Sequence, residues 1–174
     1  MVIYRSLVVM CFVLFLQCET KQSQSEDASA TTEKQSTTLT AKAINDFRYN
    51  EYILSKDTEE TVSNWDEFLE LSKHIEFLKT ADVTFFTQDL VTLQTFLNNM
   101  KTNIPDNINT KPVNARLLVL ETRILKLHND LTLDNIAVAE QVNSIQELLV
   151  ASSNLNFVIN KKLELEDYDI GRPE

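Results

Sequence analysis

Glycine is almost missing from this 174-residue chain: there is one, Gly171, beside the C-terminus. Ordinary usage of roughly 7% would give about a dozen. A sequence this poor in glycine has no dinucleotide-binding turn, no phosphate-cradling loop and few of the tight turns that hairpins need. Proline is scarce as well, at three residues, so little interrupts a helix. Positive charge is in deficit: 16 Lys and Arg stand against 26 Asp and Glu, a formal net charge of −10. Neutralising phosphates needs clustered cations, so that balance argues against a nucleic-acid partner. Cysteine and histidine occur twice each, as Cys11, Cys18, His74 and His128, which leaves little material for a metal centre.

What is present begins with a short apolar run. Arg5 precedes residues 6–16, eleven residues in which Leu, Val, Met, Cys and Phe follow Ser6. Eleven helical residues cover about half of a ~30 Å hydrocarbon core, which needs ~20. A basic head and a short apolar core describe a cleaved export signal rather than a membrane span. The run ends in Phe15-Leu16-Gln17-Cys18, with Leu14 just before it. This resembles a bacterial lipoprotein signal, similar to the looser ones of Bacteroidetes-type lipoproteins. In that family a lipobox (Leu, small residues, then Cys) is read by a dedicated peptidase, and the Cys, thioether-linked to diacylglycerol, becomes the mature N-terminus. Gln17 departs from the pattern, which has Gly, Ala or Ser there, and Phe15 is bulkier than usual. The resemblance covers about the first 18 residues. It implies a signal peptide over residues 1–17, lipidation of Cys18, and a lipid-anchored location in the cell envelope, at the outer membrane, facing periplasm or surface.

Cysteine arithmetic points the same way. Cys11 leaves with the signal, so Cys18 becomes the only thiol of an exported chain, and lipidation accounts for it. The alternative is ordinary cleavage a few residues downstream, which releases a soluble protein without cysteine. Residues 18–38 read as the lipidated Cys and a disordered tether. From Glu19 to Thr38 no aliphatic or aromatic side chain exceeds Ala, too little apolar surface to offset ordering. About twenty such residues span on the order of 25 Å. Removing residues 1–17 takes away only Arg5, leaving 15 basic and 26 acidic residues and a net charge of −11. Anionic lipid repels such a body, so a bilayer partner is reached through the acyl chains on Cys18 rather than through a basic face.

Residues 39–166 read as all-α: an elongated antiparallel helical hairpin or coiled-coil-like bundle of three to five helices, followed by an acidic tail over residues 167–174. A first helix is expected over residues 40–54, with Ile44, Phe47 and Leu54 on one side. Asp57 with Glu60 and Asn64 with Glu67 each have the spacing of a capping box. Trp65, Phe68, Leu71, Ile75 and Leu78 then recur at threes and fours, and Val83, Phe86, Leu90, Leu93, Leu97 and Met100 continue in a shifted frame. The shift at Thr80-Ala81-Asp82 allows either a helix end, with Thr80 capping the next helix, or one long helix with a stutter. Since neither Gly nor Pro interrupts residues 57–102, the continuous helix is favoured. Residues 103–112 hold Pro105 and Pro112 among four Asn or Asp residues and form a connection, with Pro112 suited to a first helical turn. Val113, Leu117, Leu120, Ile124, Leu127 and Leu131 open a heptad run that reaches Ile159, as one helix or as two with a break at residues 129–132. From Leu133 to Asn160 apolar residues spread beyond one stripe, the mark of a helix covered on several sides.

The search for chemistry is mostly empty. Glu70 and His74 are four apart on one helical face, half of a carboxylate-bundle metal motif, but Glu121 and His128 are seven apart and supply no second copy. Both histidines read as solvated surface groups, and no metal or other cofactor is expected. No serine sits in a glycine-flanked elbow, so no catalytic residue is assigned and the protein reads as a non-enzyme. Phe68, Phe86, Phe96, Phe157 and Met100 read as core. Phe77, Phe85 and Leu118 fall off the main seams and mark a surface for a partner or ligand: an envelope protein, a second copy, or a neighbouring helix. The chain therefore reads as a membrane-anchored, non-catalytic helical scaffold or interaction module. The alternative is a helical-bundle carrier of a small apolar ligand or a metal.

Overall fold

A computed structural model describes residues 38–169; the readings on residues 1–17, on Cys18 and on the tether up to residue 37 lie outside the described residues, as do residues 170–174 of the acidic tail. Among the described residues the architecture is an all-α bundle without strands. Six α-helices follow in order: α1 Ala41–Asn45, α2 Lys56–Val62, α3 Asp66–Lys79, α4 Leu90–Thr102, α5 Lys111–Thr132 and α6 Val138–Asp169. Single 3-10 turns at Thr84–Thr87 and Asp106–Ile108 lie in the connections before and after α4.

The helix favoured over residues 57–102 is divided into α2, α3 and α4, and this raises the helix number to six. Two local devices make the division without glycine or proline. After Val62 the chain turns so that the Trp65 ring is fully buried, its Nε1–H donating to the Met100 carbonyl at 2.9 Å. Turning a large aromatic inward there outweighs continuing the helix. At the far end of α3, Ala81 adopts φ 68°, the left-handed conformation. Its N–H bonds the Leu78 carbonyl at 2.9 Å and the Asp82 N–H bonds that of Phe77 at 3.2 Å, closing a Schellman motif around the last turn. Asp89 then caps α4 by accepting from the Thr92 N–H at 3.0 Å. The caps sit beside the expected boxes: Ser55 caps α2, Trp65 occupies the N-cap of α3, and Thr80 ends α3 rather than starting a helix.

The first helix is also shorter than expected. Thr40 caps α1 by accepting from the Ala43 N–H, but the helix ends at Asn45 and residues 48–55 run as an extended strap. Polar side chains of α6 hold the strap's backbone, so its peptide groups find partners without helix formation.

The connection at residues 103–110 is tied down by Ile104 and Ile108, both buried, and Pro112 sits in the first turn of α5. Here α5 and α6 are two helices, joined through residues 133–137, and Thr132 Oγ1 donates back to the His128 carbonyl rather than capping α6. The pair is antiparallel: Arg123 meets Glu147, and Lys126 and Asp130 meet Ser144. Val113, Leu117, Leu120, Ile124 and Leu127 of α5 and Ile145, Leu148, Leu155 and Ile159 of α6 are buried at heptad spacing. With 32 residues α6 extends about 48 Å. It meets α1, α2, α5 and the 3-10 turn after α4, as its broad apolar surface implies, and it continues through Asp169 into the stretch read as tail.

Candidate functional site

Three places on the bundle combine side-chain chemistry with accessibility. The first is aromatic. His74 on α3 lies between Phe77 and Phe85: its ring stacks on Phe85 with centroids 4.1 Å apart and meets the edge of Phe77 at 6.0 Å. Phe85 in turn packs edge-on against Phe86 and Phe96, each 5.1 Å away, which ties the cluster to the core. Phe77 remains 42% exposed. Two of the three residues expected to mark a surface, Phe77 and Phe85, thus share one histidine. Leu118 stands on α5, 61% exposed, its carbonyl accepting from Thr122 Oγ1 on its own helix.

The second is a shallow groove of about 250 Å³ between α5 and α6. Phe47, Val119, Val150 and Ala151 supply its apolar wall, and Arg123 and Asn154 are among its polar groups. The Arg123 guanidinium is engaged with Glu147 at 2.9 Å, so the groove offers no free cation at that position.

The third is the face of α6 under the strap. Ser153 Oγ accepts the Tyr52 N–H at 2.7 Å and donates to the Asn50 carbonyl at 2.7 Å. Asn156 Nδ2 donates to the Tyr52 carbonyl at 3.0 Å. Asn160 bonds at both ends of its amide: Nδ2 donates to the Ile53 carbonyl at 2.8 Å and Oδ1 accepts the Ser55 N–H at 3.0 Å. A carbonyl accepts and an N–H donates, so these partners fix the orientation of the amide. Pairings rise together along both segments, so the strap runs in the direction of α6. Sequence reading passed over this face; its trace is the polar set Ser153, Asn156 and Asn160 at spacings of three and four, which the other polar residues of α6 conceal.

Ion pairs surround these places. Lys79 Nζ donates to Glu51 on the strap and to Glu76 at 2.6 Å; burial alone would lower the Lys79 pKa, but these carboxylates outweigh it and hold the ammonium above the ordinary lysine value. Burial raises the Tyr49 phenol above its usual range, with the Lys79 charge opposing. Lys126 and Asp130 both hydrogen-bond Ser144, and Lys126 lies 3.4 Å from Glu147. A serine touching a lysine and an aspartate resembles an activated nucleophile, yet Ser144 is 1% exposed. Despite the opposing effect of desolvation, Asp130 and Glu147 also hold Lys126 above the ordinary lysine value, so it accepts no proton from Ser144 near neutral pH. The cluster is an interhelical clasp.

The histidines differ from the solvated pair expected. His128 is buried, and its Nδ1–H donates to the Phe86 carbonyl at 3.0 Å, because the 3-10 turn folds over α5 there. His74 Nε2 lies 3.8 Å from Glu70 Oε1. Among the described residues no group of three or more His, Cys, Asp or Glu side chains is placed to hold a metal ion, and no helix is long and apolar enough to cross a membrane. No family model matches the chain, and neither a curated protein nor a solved structure matches it significantly.

Proposed function

We propose that this protein is a lipid-anchored envelope protein whose helical bundle serves as a non-catalytic interaction module or scaffold. The observation that carries the reading is Phe15-Leu16-Gln17-Cys18 at the end of a short apolar run, with Cys18 the sole cysteine once residues 1–17 are removed. Three features of the bundle support it. Lys126, Asp130, Arg123 and Glu147 are engaged in bonds between α5 and α6, Ser144 beside Lys126 is itself buried, and Phe77 with His74 and Phe85 offers an aromatic face of the kind that anchors protein contacts. The anchor is tested by intact mass spectrometry of the membrane-extracted protein. A diacyl or triacyl adduct on Cys18, lost in Cys18→Ser, is the expected result; an unmodified soluble chain overturns it. The interaction half is tested by envelope crosslinking, where Phe77→Ser is expected to reduce the captured partner severalfold.

A second reading, a carrier for a small apolar ligand, is favoured by the groove between α5 and α6. Its volume of about 250 Å³ lies just under the 300–1,000 Å³ of most ligand pockets. Native mass spectrometry of protein purified from its source distinguishes the two: a retained lipid or metal promotes the carrier.

A further inference from the structure

The aromatic face on α3 is flanked by negative charge that the bundle does not neutralise. Glu70, His74 and Phe77 follow at spacings of four and three, so they share one stripe of the helix, about 10 Å from first to last. Asp82 lies just past the other end, its N–H bonded to the Phe77 carbonyl at 3.2 Å. Each end of the aromatic group thus carries a carboxylate. Both are open to water: the Glu70 side chain is 56% exposed, and Asp82 is an exposed residue. Hydrogen bonds from the Thr84 side chain and N–H hold the Asp82 carboxyl below its usual range, so it stays an anion. Glu70 lies 3.8 Å from the His74 imidazole, and neither carboxylate is paired with a lysine or arginine among the described residues. Over residues 66–89 six acidic residues stand against Lys73 and Lys79, and Lys79 is taken by Glu51 and Glu76. That leaves Lys73, exposed one turn before Phe77, as the cation beside the stripe.

We propose that this face docks a protein segment that presents arginine, with the guanidinium stacked on Phe77 and its donors reaching Glu70 or Asp82. Arginine fits both parts of the face, because its planar cation stacks on an aromatic ring and pairs with a carboxylate through two parallel bonds; lysine offers a point charge alone. The rings line neither the groove between α5 and α6 nor the cavity of about 60 Å³ under the strap, so the occupant is a side chain carried on a protein surface rather than an enclosed small molecule. Phe85 is held by Phe86 and Phe96 and His74 is stacked on Phe85, so the face is already ordered before a partner arrives. Lys73 opposes such a partner. The inference rests on the reading of the bundle as an interaction module and does not depend on lipid anchoring.

Titration of the full-length protein with a hexa-arginine peptide at low salt tests it, with hexa-lysine as the control of equal charge. Amide shifts in two-dimensional NMR are expected to centre on residues 70–85, and hexa-arginine to bind at least about threefold tighter than hexa-lysine. Phe77→Leu keeps the apolar bulk at an exposed position but removes the aromatic face, and is expected to erase that preference. Glu70→Gln/Asp82→Asn is expected to weaken both peptides severalfold, and Lys73→Gln to tighten both by about twofold. Equal affinity for the two peptides, shifts spread over all the acidic surfaces of the chain, or weaker binding in Lys73→Gln each overturns the proposal. Envelope crosslinking that depends on Phe77 while hexa-arginine fails to bind overturns the arginine partner alone and leaves the interaction module standing.

Discussion

Ala81 takes up, at φ 68°, a backbone conformation that most chains assign to glycine. The left-handed region costs a residue with a Cβ about 1–2 kcal/mol, and the Schellman bonds around Ala81 offset it by satisfying the carbonyls of Phe77 and Leu78. Ala81→Gly is therefore expected to stabilise the bundle by about 1 kcal/mol, seen as a higher urea midpoint at unchanged slope; a lower midpoint would contradict this account. Trp65→Phe works in the other direction. It leaves the Met100 carbonyl without the indole N–H and opens a void beside Phe68, and a loss of about 2–3 kcal/mol is expected in the same measurement. Titration adds a third expectation. Lys79, Lys126 and Tyr49 all have pKa values raised by folding. A group raised in the folded state stabilises below its unfolded pKa, and that stability is lost as pH rises through the folded value. The unfolded values are about 10–10.5, so these groups predict a urea midpoint that falls between pH 9 and pH 11.5. A midpoint that holds or rises over that interval would remove the charge network from the account.

Between the elements, the strap and α6 are joined by polar side chains, whereas α5 and α6 are joined by a heptad-spaced apolar seam. The two contacts are expected to differ in how easily they open. Asn160→Ala should raise hydrogen exchange at the Ser55 amide at least about tenfold while the central amides of α5 and α6 keep their protection, since about 1 kcal/mol per lost bond bears on the strap alone. Equal loosening of all three segments would show the strap to be integral to the core. The same contrast explains what could be read from residues alone. Apolar periodicity reports burial, so the all-α class and the breadth of α6 were legible, as was Pro112 in a first turn; the pairing of α5 with α6 was not, because the heptad frame from Val113 runs on to Ile159 across their junction. Phe77 and Phe85 stood out because they miss the seams. Helix ends were not legible where they depend on distant partners: residues 46–55 have the apolar spacing of a helix, but Ser153, Asn156 and Asn160 hold their peptide groups extended. Nor was His128, whose burial depends on the 3-10 turn carrying Phe86 over it. The break after Lys79 was hidden because alanine stands where glycine would have announced it.

At the scale of the molecule, 26 acidic residues against 16 basic ones make the whole chain an anion, and under the proposed anchoring only the acyl chains hold it to lipid. Acylated protein is thus expected to float with anionic vesicles in about 1 M salt as well as in dilute buffer, and Cys18→Ser protein to stay unbound in both. Salt-sensitive binding of the unacylated form would point to a basic surface instead. The strap has a consequence for how the protein is made. Its bonding partners lie 101 to 107 positions further along the chain. Ribosomes add roughly 5–20 residues per second, so a nascent strap waits roughly 5–20 s before the stretch that receives it has been synthesised. The earliest part of the fold to be translated is among the last to settle, and through that interval the beginning of the chain stays within reach of whatever escorts it.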